Sequence, residues 1–266
     1  MKRLNSSLRV QRPLYTCLRS SRLWGRAIAV IICGAMVFPV VPAPAEAQSL
    51  SERIQALFTR NREVGRASGR ARGGAIRSGC QTLDVEGDRP LLALIPASNL
   101  GKTSEDYPTF WFYSPFTASN TNLSALFTLL DKDRNPVLQS ISIPVSLPET
   151  PGLVSFQLPS TEAPLQTGET YNWYFTIVCN LPSGGEQDLT EVSGWVERAQ
   201  LSPEAAQQLT ETADPYPIYA DNDFWYEAVT QLAQNRTTYA GDWNALLSLF
   251  ELQDLASSSV TPLRSE

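Results

Sequence analysis

Thr170-Tyr171-Asn172-Trp173-Tyr174-Phe175-Thr176-Ile177-Val178-Cys179 is the stretch that decides the fold class. Side chains alternate between the two faces of a strand, so Tyr171, Trp173, Phe175, Ile177 and Cys179 share one face. That face is expected to point into a core. The opposite face still carries Tyr174 and Val178, and Thr109-Phe110-Trp111-Phe112-Tyr113 has the same two-sided aromatic character. Strands that are apolar on both faces need cover on both.

Outward from this stretch, residues 81–200 read as short strands separated by proline, glycine and asparagine. The spacing predicts strands at 91–96, 109–115, 123–130, 137–145, 153–158, 170–179 and 190–199. Seven strands at this interval point to a mainly β protein, an antiparallel sandwich over 80–200. Asp131-Lys132-Asp133-Arg134-Asn135-Pro136 joins the third and fourth strands as a hairpin turn. It half-matches a calcium loop, but Pro136 stands where that loop turns on glycine and Ser142 stands where it needs a glutamate.

Residues 201–256 supply the second layer. Ser202-Pro203-Glu204 places a capping hydroxyl, a first-turn proline and a favourable carboxylate ahead of Ala205 to Leu209. A second helix is predicted from Asp223 to Gln234, with Trp225, Val229 and Leu232 on one face. A third begins at Asp242, with Trp243, Leu246, Leu247 and Phe250 as its stripe. Short helices with this much aromatic surface are stable only when docked, so a small helical lobe is expected on the sandwich, with Trp225 and Trp243 as packing anchors. Residues 257–266 read as a disordered tail.

The N-terminal end is an address label. Met1 to Arg26 carries seven basic and no acidic side chains, Ala27 to Val41 is apolar, and Ala45-Glu46-Ala47 is a small-x-small cleavage site. Residues 1–47 therefore read as a signal peptide, with a retained membrane anchor as the alternative, and the protein is expected in the periplasm, at the cell surface or outside the cell. Residues 48–79 read as an Arg/Gly-rich linker, opening with one helical turn at Arg53 to Phe58. Its arginines, Arg60, Arg62, Arg66, Arg70, Arg72 and Arg77 among them, could serve as a basic arm in peripheral contact with an anionic surface. From Gln81 onward seven basic residues face 24 acidic ones, a balance of −17. Such a body repels a phosphate backbone, which argues against nucleic acid as a partner.

Cleavage after Ala47 leaves Cys80 and Cys179 as the only cysteines, which predicts one disulfide in an oxidising compartment, two separate buried thiols being the alternative. The chain contains no histidine. That excludes Ser-His-Asp and Cys-His catalysis and histidine-based metal sites, and no cofactor is expected. Glu191, Ser193, Trp195 and Glu197 alternate onto one strand face, where a tryptophan between two carboxylates would suit a sugar, although packing of Trp195 under the C-terminal helices is the favoured expectation. As an acid and base pair Glu191 and Glu197 fail. Six residues of strand separate them by ~20 Å, against the ~5–9.5 Å that glycosidases use.

Two resemblances follow from quoted residues. Leu165-Gln166-Thr167-Gly168-Glu169-Thr170-Tyr171-Asn172-Trp173 is similar to the corner between the fifth and sixth strands of immunoglobulin-like and fibronectin-like sandwiches. The string Pro108-Thr109-Phe110-Trp111-Phe112-Tyr113-Ser114-Pro115, with Tyr171-Asn172-Trp173-Tyr174-Phe175 and Gly194-Trp195-Val196-Glu197-Arg198, resembles the cyanobacterial domain of unknown function nine-two-eight over roughly 80–255. That resemblance implies an exported protein with a signal peptide, a variable linker and this domain. It brings no assigned catalytic residues. The expected function is a non-catalytic envelope protein that binds another envelope protein or a surface polymer. The alternatives are a carbohydrate-binding module and a carboxylate-dependent hydrolase.

Overall fold

The structure is a computed structural model, and it describes residues 50–59, 71–73, 89–181 and 184–265. The signal peptide expected at residues 1–47 lies outside the described residues. The predicted aromatic strand is β7 (Thr170–Asn180), the middle of a five-stranded sheet. Its neighbours are β8 (Glu186–Arg198) and β4 (Leu123–Leu130), flanked by β2 (Leu100–Thr103) and β5 (Ile143–Val145). The facing sheet is β1 (Leu92–Ala93), β3 (Thr109–Ser114), β6 (Gly152–Gln157) and β9 (Val260–Leu263), in the order β1-β3-β6-β9. The protein is thus mostly β, with two sheets packed as an open sandwich and several helices.

The core forms where the two inner faces meet. Alternation on β7 delivers Trp173 and Phe175 to the interior, and Phe110, Phe112 and Phe156 come from β3 and β6. Phe112 stacks on Phe175 with ring centroids 4.4 Å apart, and Phe110 lies 4.8 Å from Phe127 of β4. Each such pair adds about 0.5–1.5 kcal/mol beyond its buried area.

Both sheets are mixed, which corrects the antiparallel expectation. β2 runs parallel to β8, and β9 runs parallel to β6. These are the two strands that sequence patterning missed. Each is four residues long, and Gly101 in one and Pro262 in the other are weak strand formers whose pairing is set by distant partners. β9 also corrects the disordered tail. Its continuation tethers the far sheet, with Ser265 bridging to Val145 and the Arg264 N–H donating to Ser146 Oγ at 3.1 Å. The expected strand 137–145 shortens to β5.

The linker begins with a docked helix rather than a single turn, α1 (Leu50–Thr59). Ile54, Leu57 and Phe58 fall on one face, and Ile54 and Leu57 are buried. Arg53 Nε lies 2.7 Å from Asp221 Oδ1. The C-terminal lobe contains α2 (Pro203–Glu211), α3 (Tyr216–Asp221), α4 (Trp225–Gln234) and α5 (Ala240–Ser248). Ser202 caps α2 as the sequence indicated, its hydroxyl accepting from the Ala205 N–H at 3.1 Å. Trp225 and Trp243 are each 1% exposed and donate their indole N–H groups to Leu94 O and Ala256 O, so both are packing anchors.

α4 completes the sandwich. β1 is only two residues long, so the flank between β2 and β3 lacks strand cover, and α4 fills it. Gly101 of β2 permits the approach: a Cβ there would meet the Tyr226 ring at 2.8 Å and the Trp225 Cβ at 3.3 Å.

Candidate functional site

Three consecutive residues at the start of α4 are buried, and each has its own task. Trp225 anchors the helix to the β1–β2 connection. Tyr226 enters the core beside Phe110, its hydroxyl accepting from Trp173 Nε1 at 2.9 Å and donating to Trp195 O at 3.1 Å. Glu227, 6% exposed, turns to the β2–β3 loop. Its Oε1 accepts from Thr103 Oγ1 at 2.5 Å, the Ser104 N–H at 2.8 Å and the Glu105 N–H at 3.2 Å. Its Oε2 is buried and has no hydrogen-bond partner among the described residues. Burial pushes this carboxyl above its ordinary value. The bonds from Thr103 and Ser104 pull it back, and the neighbouring Glu105 charge adds to the rise.

The loop that Glu227 holds forms one wall of a cleft. Two adjoining cavities, about 320 and 380 Å³, lie between α4 and the β3–β6–β9 sheet and share Thr109, Gln157, Thr230 and Gln234. The first is acidic and aromatic, with Glu105, Glu227, Tyr107 and Tyr219. The second runs past Trp111 to Arg236 and Pro262. Trp111 is held by its indole N–H, which donates to Thr230 Oγ1 at 2.9 Å, while the Thr230 hydroxyl donates to Tyr226 O at 2.7 Å. Combined, the cleft offers hydroxyls, side-chain amides and aromatic surface around one buried acid. A third cavity, about 240 Å³, lies where Phe58 of α1 meets Ile95, Arg72 and Phe250.

The sequence-predicted site residues lie elsewhere. Glu191, Trp195 and Glu197 do share a face of β8, each partly exposed, and Ser193 on that face is buried. They belong to the outer surface of the five-stranded sheet, opposite Thr176, Asn172 and Thr170 of β7, and none of them lines the cleft. Of the basic arm, Arg72 pairs with Glu251 at 3.1 Å, and Arg60, Arg62, Arg66, Arg70 and Arg77 lie outside the described residues. Cys179 is buried, and Cys80 lies outside the described residues. Among the described residues, no group of three or more Cys, Asp or Glu could hold a metal ion.

Sequence patterning missed Glu227 because it lies off the Trp225, Val229, Leu232 stripe and reads as a solvent-facing acid. A signal was present: it is the lone charge in Phe224-Trp225-Tyr226-Glu227-Ala228-Val229, and a helix apolar on all sides of one carboxyl buries that carboxyl. Gln157 and Trp111 were missed because the cleft exists only once α4 has docked.

No curated protein matches the chain, and no solved structure does. The model of one family, Domain of Unknown Function (DUF928), matches residues 69–260. That span takes in β1 to β8, the helices of the C-terminal lobe and the cleft walls contributed by the β2–β3 loop, β3, β6 and α4, and it ends at the first residue of β9; the chain belongs to this family.

Proposed function

We propose that this is an exported, non-catalytic envelope protein that binds a hydroxyl-rich surface polymer, a glycan chain, in the cleft beside α4. The composition of the cleft carries this reading. Gln157, Gln231 and Gln234 each offer a donor and an acceptor, Thr109 and Thr230 add hydroxyls, and Tyr107, Tyr219 and Trp111 add aromatic surface. Sugars present the complementary set, hydroxyls around apolar ring faces. A binding role rather than hydrolysis is favoured by Glu227 itself, whose Oε1 is committed to three donors of the β2–β3 loop and whose Oε2 is shielded.

The test is calorimetry of the mature chain against purified envelope polysaccharide. A Gln157→Ala, Gln234→Ala double variant should weaken binding at least about tenfold, equivalent to about 1.4 kcal/mol, with no change in thermal midpoint. Unchanged affinity would remove the cleft from consideration.

A second reading has its own observation. Leu126, Leu130, Tyr174 and Trp195 are all partly exposed on the outer face of the five-stranded sheet, a surface on which an envelope protein could dock. We further read the sandwich as immunoglobulin-like. The Tyr171 hydroxyl accepts from the Gln166 N–H at 2.9 Å, and the connection it braces passes from β6 in one sheet to β7 in the other, as in a tyrosine corner. Export through residues 1–47, a Cys80–Cys179 bridge and contact of the basic arm with an anionic surface belong to the same proposal.

A further inference from the structure

We infer that the Glu227 end of the cleft is a subsite for an ammonium group, carried by an amino sugar of the bound glycan. This rests on the glycan reading above. The cavity of about 320 Å³ is lined by two carboxyl residues, Glu105 and Glu227, and by Tyr107, Tyr219 and Tyr226, with no lysine or arginine. Among the described residues that line the cleft, Arg236 is the one cation, and it lies in the adjoining cavity. The ligand that fits such a wall is positive at this end.

The two carboxyl groups have different surroundings. Glu105 is exposed on the β2–β3 loop, while Glu227 is 6% exposed and its Oε2 has no hydrogen-bond partner. The groups that act on Glu227 electrostatically or face it are Glu105 on the loop, Tyr219 on α3 and Tyr226 on α4. None of them supplies a positive charge. The Glu105 charge and burial together hold Glu227 toward its neutral form. An ammonium entering between Glu105 and the tyrosine rings changes that balance. It pairs with the Glu105 carboxylate, its three N–H donors can reach the side-chain carbonyls of Gln157 or Gln231, and the ring faces attract it directly. Its charge also opposes the burial and the Glu105 charge that raise the Glu227 carboxyl above its ordinary value.

A neutral sugar would leave the Glu105 carboxylate without a counter-charge, and an anionic one would be repelled. A free amine on the sugar is the substituent that distinguishes this site from a generic sugar cleft.

The test is calorimetry on the mature chain at low salt, at a pH where the amine is charged, with two probes: a glucosamine hexamer and the fully N-acetylated hexamer. The expected result is at least tenfold tighter binding of the free amine than of the N-acetylated hexamer, a preference lost in both Glu105→Gln and Glu227→Gln. Glu105 is exposed, so its variant folds normally, and glutamine at 227 keeps the carbonyl that holds the loop. Equal affinity for the two probes overturns the ammonium subsite and leaves the glycan cleft standing. A preference that survives both substitutions also overturns it, because the acidic body as a whole is then the attractor. If neither hexamer binds, the glycan reading falls and the subsite falls with it.

Discussion

Glu227 and Tyr226 show how adjacent residues on a helix can do opposite work. Tyr226 satisfies Trp173 and Trp195 inside the core, so Tyr226→Phe leaves the Trp173 indole N–H buried without its acceptor. The expected cost is about 1–3 kcal/mol, read as a lower urea midpoint with an unchanged slope. Glu227 is a buried acid whose native form is held above the ordinary value of 4.5, so the folded state binds its proton more tightly than the unfolded state does. Its contribution is fully present below that ordinary value and is lost as pH rises through the raised native one. Wild-type stability should therefore fall with rising pH above about 4.5 relative to Glu227→Gln, which carries no titrating group there. A difference between the two proteins that is flat across pH would show that folding does not raise the Glu227 carboxyl above its ordinary value. Glu227→Ala, which strands the Thr103, Ser104 and Glu105 donors, should cost about 1–3 kcal/mol at low pH and less as pH rises, measured by the same urea titrations.

At the scale of elements, α4 takes the place of a strand. β1 covers little of the β3 edge, and Gly101 and Gly194 allow large side chains to press against the backbone there. A Cβ at 194 would collide with the Ile95 side chain and lie 2.8 Å from the Trp173 ring. Gly101→Ala and Gly194→Ala should each lower the thermal midpoint by the equivalent of about 1–3 kcal/mol, the usual cost of overpacking. If Gly101→Ala is neutral, α4 is not seated against β2 as described.

The same elements explain what could be read in advance. β3, β4, β6, β7 and β8 were legible because alternation and aromatic content report burial directly. α4 and α5 were legible from their stripes, and α2 from its cap. β2 and β9 were not, since a four-residue parallel strand gains its order from partners far away in sequence. The cleft was the least legible feature. Its walls come from the β2–β3 loop, from β6 and from α4, and only the three-dimensional approach of α4 assembles them, whereas Trp195 with its two glutamates is conspicuous on a single strand.

At the scale of the molecule, strands and helices share one closure. α1 covers the helical lobe through Ile54, Leu57 and Phe58, and Phe58 meets Phe250 edge to face at 5.6 Å. A chain starting at residue 60 should therefore be less stable than one starting at residue 48, and a matching pair of melting curves checks this. If the proposed Cys80–Cys179 bridge forms, the exported protein will weigh two hydrogens less before reduction than after, and Cys179→Ser will cost about 2–5 kcal/mol.

The most direct test of the central claim is an NMR titration of the ¹⁵N-labelled chain from residue 48 onward with envelope oligosaccharide, following the tryptophan indole N–H signals. Trp111 lines the cleft with its N–H bonded to Thr230, and Trp195 lies on the outer face of the other sheet. A glycan in the cleft will shift the Trp111 signal and leave Trp195 in place. A shift of Trp195 with Trp111 unmoved, or no shift in either, would contradict the assignment of the cleft beside α4 as the binding site.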